Sequence, residues 1–240
     1  MDITNAIPIA GRHISVLPDA VNNILSQTRF PEYVIFAIGD YNISLDEYTV
    51  KKCTELLESN GIKVKLNLCS STVYPGHNRY LAYNLCETDI IAFQDCDDLC
   101  HKQRNEILLK AFEKTNLSQL LHCCIRVWPG KTDEGYNQED WEASSIKWPL
   151  DIITQTNPEL YDRNKRMKLQ CAHGPISINK AKTGDVNFPF HQNGEDVELV
   201  DILMEHNREN DSMMSLIKSR EMYIWRNFLS SLGGKYTIRN

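Results

Sequence analysis

The stretch DIIAFQDCDD, residues 89–98, decides how the rest of the chain is read. Its apolar part, Ile90–Phe93, has the length of a buried strand and is too short for a helix. Three carboxylates then follow within four positions, at Asp95, Asp97 and Asp98. Side chains alternate along an extended chain, so Asp95 and Asp97 should point to the same side at the carboxyl end of this strand. In open α/β sheets that end is where ligands bind.

These carboxylates favour a divalent metal ion as their ligand. Asp95 and Asp97 would repel each other at one sheet edge unless a cation lay between them. Oxygen ligands suit Mg2+ or Mn2+, which keep open positions for substrate phosphates. The stretch therefore predicts a metal site. The alternative is an acidic turn in which Asp98 only caps a helix starting near His101 or Lys102.

Apolar runs alternate with helical patterns through the first hundred residues. Such alternation predicts an α/β fold with a parallel sheet and right-handed crossovers, a statement about fold that leaves function open. The predicted strands are residues 3–9, 33–38, 62–66 and 90–93. The predicted helices are residues 17–25, residues 46–60, and a third that follows residues 75–79 and passes through Leu81, Ala82 and Leu85.

The second half of the chain is less regular. A helix is expected over residues 102–114 and a strand over 120–127, followed by a polar segment, 128–166, that reads as a functional or disordered loop. Strand character resumes over residues 171–179, and a final strand is expected over 222–226. Between them a helix begins near Asp196, with acidic residues in its first turn as the helix dipole favours.

Composition narrows the class of protein. The 240 residues carry a net charge of -6 without a basic block, which argues against nucleic acid as a partner. The N-terminus does not resemble a signal peptide, and no apolar run approaches the ~20 residues of a membrane span. The eight cysteines lie mostly in apolar patterns, so we expect reduced thiols and a cytoplasmic location. Zinc is a weaker alternative for the Cys and His residues near 96–101 and 122–124, because they lack a C-x-x-C pair.

Four elements, in this order, resemble the family-2-type glycosyltransferases of the GT-A fold, which transfer a sugar from a nucleotide-sugar. They are residues 26–38, the stretch from Gly76 and Arg79 to Asp98, the motif Gly194-Glu195-Asp196, and Tyr223–Arg226. The resemblance spans about residues 5–231. It implies a single GT-A domain over residues 1–240 with a mostly parallel central sheet flanked by helices. Residues 1–100 would bind the nucleotide-sugar and residues 101–240 the acceptor.

The resemblance also implies roles for individual residues. Asp95, Asp97 and Asp98 would hold Mn2+ or Mg2+, and Asp196 would be the general base of an inverting transfer to a hydroxyl of a glycan acceptor. The expected donor is a UDP-sugar, with GDP- or dTDP-sugars as alternatives. Donor-binding residues would be Pro8, Ala10, Gly39, Asp40, Gly76, Arg79 and Asp95, and acceptor-binding residues would be Glu195, His173 and Trp225.

The chain departs from the family pattern in three places. Residues 8–11 read Pro-Ile-Ala-Gly where the family has Pro-Thr-Tyr-Asn, and residues 38–41 read Ile-Gly-Asp-Tyr where it often has Asp-Asp-Gly-Ser. Both segments would touch the base, which leaves the nucleotide open. No histidine follows Arg226 closely, so the third metal ligand is also open, with His191 or water as candidates.

Two other functions remain as alternatives. A sugar-phosphate nucleotidyltransferase would need a glycine-rich, Arg-bearing loop after the first strand, and Ala10-Gly11-Arg12 is too sparse for that role. A non-catalytic carbohydrate-binding protein on a degenerate transferase fold would have little reason to keep Asp196 beside the Asp95 and Asp97 pair.

Overall fold

The computed structural model describes residues 1–128, 131–133, 135–150, 152–154, 162–168, 171–191, 193–210 and 212–226. Strands and helices are numbered along the chain. The strands are β1 (Ile3–Ala10), β2 (Tyr33–Gly39), β3 (Lys63–Leu68), β4 (Ile90–Phe93), β5 (Leu99–Cys100), β6 (Leu117–Cys123), β7 (Ile125–Trp128), β8 (Lys131–Thr132), β9 (Ile152–Thr154), β10 (Cys171–Asn179), β11 (Met213–Ile217) and β12 (Tyr223–Arg226).

Helices occupy the segments between these strands. They are α1 (Leu17–Leu25), α2 (Ile43–Ser59), α3 (Pro75–Leu85), α4 (Arg104–Lys114), α5 (Gln138–Ala143), α6 (Arg163–Lys168), α7 (Lys180–Thr183) and α8 (Glu195–Glu209). Short 3-10 helices cover Gly11–Val16 and Arg220–Met222. Within the described ranges, no helix is both long enough and apolar enough to cross a bilayer.

The central sheet has eight strands in the order β3-β2-β1-β4-β10-β6-β11-β9. The first four run parallel, as the sequence pattern predicts. Strand β10 lies antiparallel between β4 and β6, and β11 then runs parallel to β6. A second sheet, β5-β12-β7-β8, joins segments that are distant in the sequence.

The core explains why the parallel strands read as continuous apolar runs. Strand β4 is buried along its whole length because helices cover both faces of the sheet. On one face Ile91 and Phe93 pack with side chains of α3 and α8. On the other face Ile90 and Ala92 pack with α4, and the neighbouring strands pack with α1 and α2. The mostly parallel, helix-flanked α/β sheet is therefore confirmed.

Several local predictions are wrong, each because a distant partner decides the local structure. The strand expected over 120–127 is split at Cys124 into β6 and β7, which belong to different sheets. Strand β11 was not predicted. The described parts of segment 128–166 contain β8, α5, β9 and α6, and Trp141 is buried there with its Nε1 donating to the carbonyl of Glu221 at 2.8 Å. This tryptophan packs in the fold and is not part of a loop.

The turn after β4 also differs from its prediction. The strand ends at Phe93, so residues 94–98 are not an extended continuation of it. Helix α4 begins at Arg104 without a side-chain cap, and Leu99–Cys100 form a strand, so Asp98 does not cap a helix. The carboxylate of Asp98 instead accepts hydrogen bonds from β12.

Two buried histidines, His101 and His122, accept hydrogen bonds from α4 or from the residue just before it. The Nε2 atom of His122 accepts a hydrogen bond from Nε of Arg104 at 3.1 Å, which requires the neutral ring. Nδ1 of His101 accepts from the backbone N–H of Gln103 at 3.2 Å. Burial, followed by the charge of Arg104, lowers the pKa of His122 well below its usual value. Burial, followed by Lys102, lowers the pKa of His101 to about 4.

We expect acid to destabilise the fold through these histidines. An unfolded histidine has a pKa of about 6.5, so between that value and the lower folded pKa the unfolded chain binds more protons. Stability from this source is fully present above about pH 6.5 and falls as the pH drops, by up to ~1.4 kcal/mol per pH unit for each histidine. Urea denaturation at about pH 7.5 and about pH 5 should show a smaller acid loss in His101→Gln than in wild type. Equal losses in the two proteins would contradict this account.

Candidate functional site

A cleft of about 210 Å3 opens where β1 and β4 end. It is walled by the turn after β4 and by the first turns of α3 and α8. The residues predicted from the sequence that line it are Pro8, Ala10, Arg79, Asp95, Asp97, Glu195 and Asp196. The lining residues that sequence reasoning did not single out for this site are Arg12, His13, Val73, Pro75, Asn78 and Cys96.

Local structure after β4 explains how two carboxylates reach this cleft. The backbone N–H of Gln94 still donates to the carbonyl of Ala6 at 3.0 Å, and the chain then turns, with the N–H of Asp98 donating to the carbonyl of Asp95 at 3.1 Å. Cys96 is buried in an apolar cluster at the centre of this turn. Asp95 and Asp97 both line the cleft because of this turn, and not because an extended strand continues.

Arg79 of α3 joins the two ends of the cleft. Its Nη2 donates to Oδ1 of Asp95 at 2.8 Å, and its Nη1 donates to Oε1 of Glu195 at 2.6 Å. The guanidinium is only 3% exposed. Burial alone would lower the pKa of Arg79, but the charges of Asp95 and Glu195 raise it above its usual value. Arg79 therefore stays charged and holds the turn after β4 against the start of α8.

Two glycines permit this close packing. A Cβ atom on Gly174 of β10 would lie 2.5 Å from Oδ2 of Asp95. A Cβ atom on Gly76 would lie 1.9 Å from the carbonyl oxygen of Pro189, in the loop that leads to α8. Gly76 is thus a packing position under the cleft rather than part of its lining. A glycine inside a strand is a sequence signal of close approach, and it would have identified Gly174.

Asp98 faces away from the cleft. Its Oδ2 accepts from the hydroxyl of Tyr223 at 2.8 Å, and its Oδ1 accepts from the N–H of Arg226 at 2.7 Å. Nε of Arg226 also donates to the carbonyl of Asp97 at 2.5 Å. Because both carboxylate oxygens are committed to β12, this geometry argues against the predicted role of Asp98 as a metal ligand. Asp98 instead fixes the turn to the second sheet.

A buried arginine supports the same turn from behind. Nη2 of Arg104 donates to the carbonyls of Phe93 and Pro175, each at 2.9 Å. Phe93 ends β4, and Pro175 follows Gly174 in β10. Arg104 thereby holds together the two strands that place Asp95 and Gly174 in contact.

The electrostatics of the cleft suit a divalent cation. Burial, followed by the charge of Asp95, raises the pKa of Asp97 to about 6, which reflects a carboxylate without a sufficient positive partner. A ring nitrogen of His13, the thiol of Cys96 and a carboxylate oxygen of Asp97 all lie within 4.8 Å of one another, and Asp95 lines the same cleft. Burial, followed by Arg12, lowers the pKa of His13 to about 4, so its ring is neutral. Carboxylate oxygens fit Mn2+ or Mg2+, and a site that also used the neutral imidazole would favour Mn2+ over the harder Mg2+.

The thiol of Cys96 lies within 4.8 Å of the ligand atoms of His13 and Asp97, but it is a poorer ligand than they are. Burial raises the pKa of the Cys96 thiol well above its usual value, which disfavours the thiolate. Among the described residues, the cysteines and histidines at 100–101 and 122–124 do not form a metal-binding group. Of the residues in the zinc alternative, Cys96 alone belongs to a metal-binding group among the described residues, and its partners there are His13 and Asp97.

The remaining predicted residues lie outside the cleft lining. Asp40 follows β2 with φ of 55°, and its Oδ1 accepts from the hydroxyl of Thr72 at 2.7 Å. Gly39 packs against Val73, which does line the cleft. Trp225 lies on β12, 5.9 Å from the guanidinium of Arg126. The backbone of His173 belongs to β10, but its side chain lies outside the described residues.

His191 is also placed away from the cleft lining. Its Nε2 lies 2.5 Å from Oε2 of Glu198 on α8, and both side chains are exposed. Of the two histidines near the site, His13 is therefore the better candidate for the open ligand position. Sequence reasoning missed it because no periodic pattern marks the 3-10 turn after β1.

Comparison with known proteins supports this assignment of the fold. The model of the family described as glycosyl transferase family 2 matches residues 6–181. Among solved structures, S. aureus TarS 1–349 in complex with UDP has a TM-score of 0.67 at 17% identity, covering 94% of this chain and 60% of that one. TarS 1–349 in complex with UDP-GlcNAc has a TM-score of 0.65 at 16% identity, covering 95% and 59%.

The longer S. aureus TarS structure gives a TM-score of 0.63 at 17% identity, and the match covers 94% of this chain and 37% of that one. This chain thus spans about 60% of the length of TarS 1–349. At this identity the likeness establishes the fold. No curated protein sequence matched the chain. On the match to residues 6–181, the chain belongs to glycosyl transferase family 2.

Proposed function

We propose that the chain transfers a sugar from a nucleoside-diphosphate sugar to a hydroxyl of a glycan acceptor, with inversion at the sugar carbon. The observation that carries this proposal is the bridge made by Arg79. Its guanidinium binds both Asp95, from the acidic stretch, and Glu195, which precedes Asp196, in the lining of one cleft. A donor phosphate site and an acceptor base site that share one cleft suit transfer between two bound molecules.

The donor side of the cleft would be formed by strand ends and α3. Pro8 and Ala10 of β1 and Val73 would contact the nucleoside, with Gly39 and Asp40 shaping the wall behind Val73. We propose a UDP-sugar as donor, because S. aureus TarS of the same fold was solved with UDP and with UDP-GlcNAc. GDP- and dTDP-sugars are the alternatives that the departures at residues 8–11 and 38–41 leave open.

We propose that Mn2+ or Mg2+ is held by Asp95 and Asp97, with His13 as a third ligand. Four carboxylates line the cleft against two guanidiniums, those of Arg12 and Arg79. A diphosphate anion would be repelled by this excess of negative charge without an added cation. When bound, the ion would neutralise the charge that builds on the leaving nucleoside diphosphate. The hydrogen bond from Arg79 orients Asp95 for this role.

Asp196 is proposed as the general base. It lies in the first turn of α8 and lines the cleft, and its Oδ1 accepts from the N–H of Val197 at 2.9 Å. A carboxylate there would take the proton of the acceptor hydroxyl as that oxygen attacks the anomeric carbon. Glu195 is held by Arg79 and would orient the acceptor side.

This function assigns a role to each part of the chain. Residues 1–100 supply most of the donor side, and residues 101–240 supply Glu195 and Asp196, so we propose one GT-A domain with the cleft between these halves. The described cysteines are free thiols, which suits the proposed cytoplasmic location.

The proposed donor site leads to a prediction about ligand binding. A thermal-shift screen of UDP-, GDP-, dTDP- and CDP-sugars, each with and without Mn2+, should show stabilisation by one nucleotide class only with metal. A ligand at a hundred-fold excess over its dissociation constant adds ~2.7 kcal/mol of stability. Asp97→Asn should abolish the shift because it removes a charged ligand of the ion.

Asp89→Asn is the matched control for that experiment. Asp89 is exposed and lies just before β4, at the end of the strand away from the cleft. The control should keep the full shift. If no nucleotide stabilises wild type with any metal, the transferase proposal fails and a carbohydrate-binding protein on this fold becomes the better explanation.

A prediction about Asp196 separates loss of catalysis from loss of donor binding. Asp196→Asn should lower kcat for sugar transfer by at least about 100-fold, because it removes the general base. It should keep the metal-dependent nucleotide shift, since the donor side is intact. Glu205→Gln is the control, in an exposed pair with Arg208 on the same helix, and should transfer normally. Normal turnover by Asp196→Asn would exclude Asp196 as the base.

A further inference from the structure

An exposed aromatic group lies beside the cleft, on the loop before α8. Phe190 is 50% exposed. Its ring centroid lies 4.8 Å from that of His77 and 5.5 Å from that of Tyr80, both on α3. We call Phe190, His77 and Tyr80 the aromatic shelf. None of its three residues has a role in the function proposed above.

The aromatic shelf is fixed to the core of the protein. The Tyr80 ring lies 6.0 Å from that of Phe188, which is buried. Phe188 in turn contacts Tyr83 at 5.4 Å and Phe93, the last residue of β4, at 6.2 Å. A half-exposed ring held by such contacts loses little freedom when a ligand binds, which favours its use in binding.

The aromatic shelf adjoins the acceptor side of the cleft. A Cβ on Gly76 would lie 1.9 Å from the carbonyl oxygen of Pro189 and 3.2 Å from Cγ of Glu195. His77 directly follows Gly76, and Phe190 directly follows Pro189, so the shelf begins where these segments meet. Glu195 and Asp196 line the cleft at the same point. The shelf is therefore continuous with the site proposed for the acceptor.

Polar groups stand next to the aromatic shelf. His191 follows Phe190 and pairs with Glu198 of α8, and both side chains are more than 40% exposed. A flat apolar ring with exposed hydrogen-bonding groups at its edge matches a sugar ring, which has C–H groups on its faces and hydroxyls around its rim. Single exposed apolar residues need no explanation, but this one is clustered, anchored and adjacent to a candidate base.

We propose that the aromatic shelf binds the apolar face of a pyranose ring of the acceptor, with Phe190 as the main contact. This inference rests on the proposed function, since it names the acceptor subsite of the same cleft. The best match is a pyranose whose ring substituents are all equatorial, because both of its faces then carry only C–H groups. Methyl β-D-glucopyranoside is such a probe.

The test measures binding of methyl β-D-glucopyranoside to the whole protein by saturation-transfer NMR, in the presence of UDP and Mg2+. Wild type should saturate the ring C–H protons of the probe. Phe190→Ala should raise the dissociation constant about ten-fold, equivalent to ~1.4 kcal/mol. Phe190→Tyr should bind as wild type does, and Phe190→Leu should bind weakly because it keeps apolar bulk without a flat face.

Tyr48→Ala is the matched control. Tyr48 is an aromatic residue on α2, 73% exposed and absent from the cleft lining, so this variant should bind the probe normally. A cooperative thermal unfolding transition of each variant, measured without ligand, checks that it is folded. Should Phe190→Ala not fold, Phe190→Leu decides the question against Phe190→Tyr.

The outcomes separate this inference from the proposed function. Failure of wild type to bind the probe, or equal binding by Phe190→Ala or Phe190→Leu, overturns the aromatic shelf as a sugar site, whether or not UDP stabilises the protein. If probe binding depends on Phe190 but no nucleotide binds, the shelf stands and the transferase proposal falls.

Discussion

One buried guanidinium holds the candidate site together. Arg79 is hydrogen-bonded to Asp95, 16 residues later in the chain, and to Glu195, 116 residues later. Without this cation the carboxylate of Glu195, with a side chain only 9% exposed, would lose its positive partner, and a buried charge without a partner is destabilising. The surrounding packing depends on the same contact, because Gly174 gives Asp95 and Arg79 the room to meet and Gly76 lets α3 approach the loop before α8. Arg79 therefore joins the proposed donor and acceptor sides.

The parts of the fold that follow from the sequence are those whose pattern is local. Strands β1, β2 and β4 were predicted because parallel strands buried on both faces form unbroken apolar runs, and α1 because its apolar residues recur on one face. The second sheet could not be predicted from the sequence. Strands β5 and β7 are short and become strands only by pairing with β12, about a hundred residues away. Strand β11, MMSLI, was overlooked because its five residues give no clear period.

In the candidate site, too, the sequence predicts what is local and misses what depends on contacts between distant residues. The acidic stretch predicted Asp95 and Asp97 as neighbours, but the assumed extended strand is absent, and a turn centred on the buried Cys96 brings both residues to the cleft. Tyr223 and Arg226 bind Asp98, and these contacts make it the one carboxylate of the three that lies outside the cleft lining. No property of the acidic stretch itself distinguishes Asp98. His13 was missed for a related reason. His13 is a candidate ligand because it lies close to Asp97, and that short distance depends on the turn after β1.

The proposed donor and acceptor sides of the cleft are built from different kinds of structure. The proposed donor side adjoins the core at Pro8 and Arg79, which are both buried, so a substitution at either changes packing as well as ligand contacts. The acceptor side is carried by the loop before α8, where Phe190 is half exposed while Phe188 and the contact of Gly76 with Pro189 anchor the loop. Anchoring and contact are therefore assigned to different residues. If Phe190 binds the acceptor as proposed, the choice of acceptor can change there with little effect on the fold, whereas the buried Pro8 and Arg79 of the proposed donor side lack that freedom.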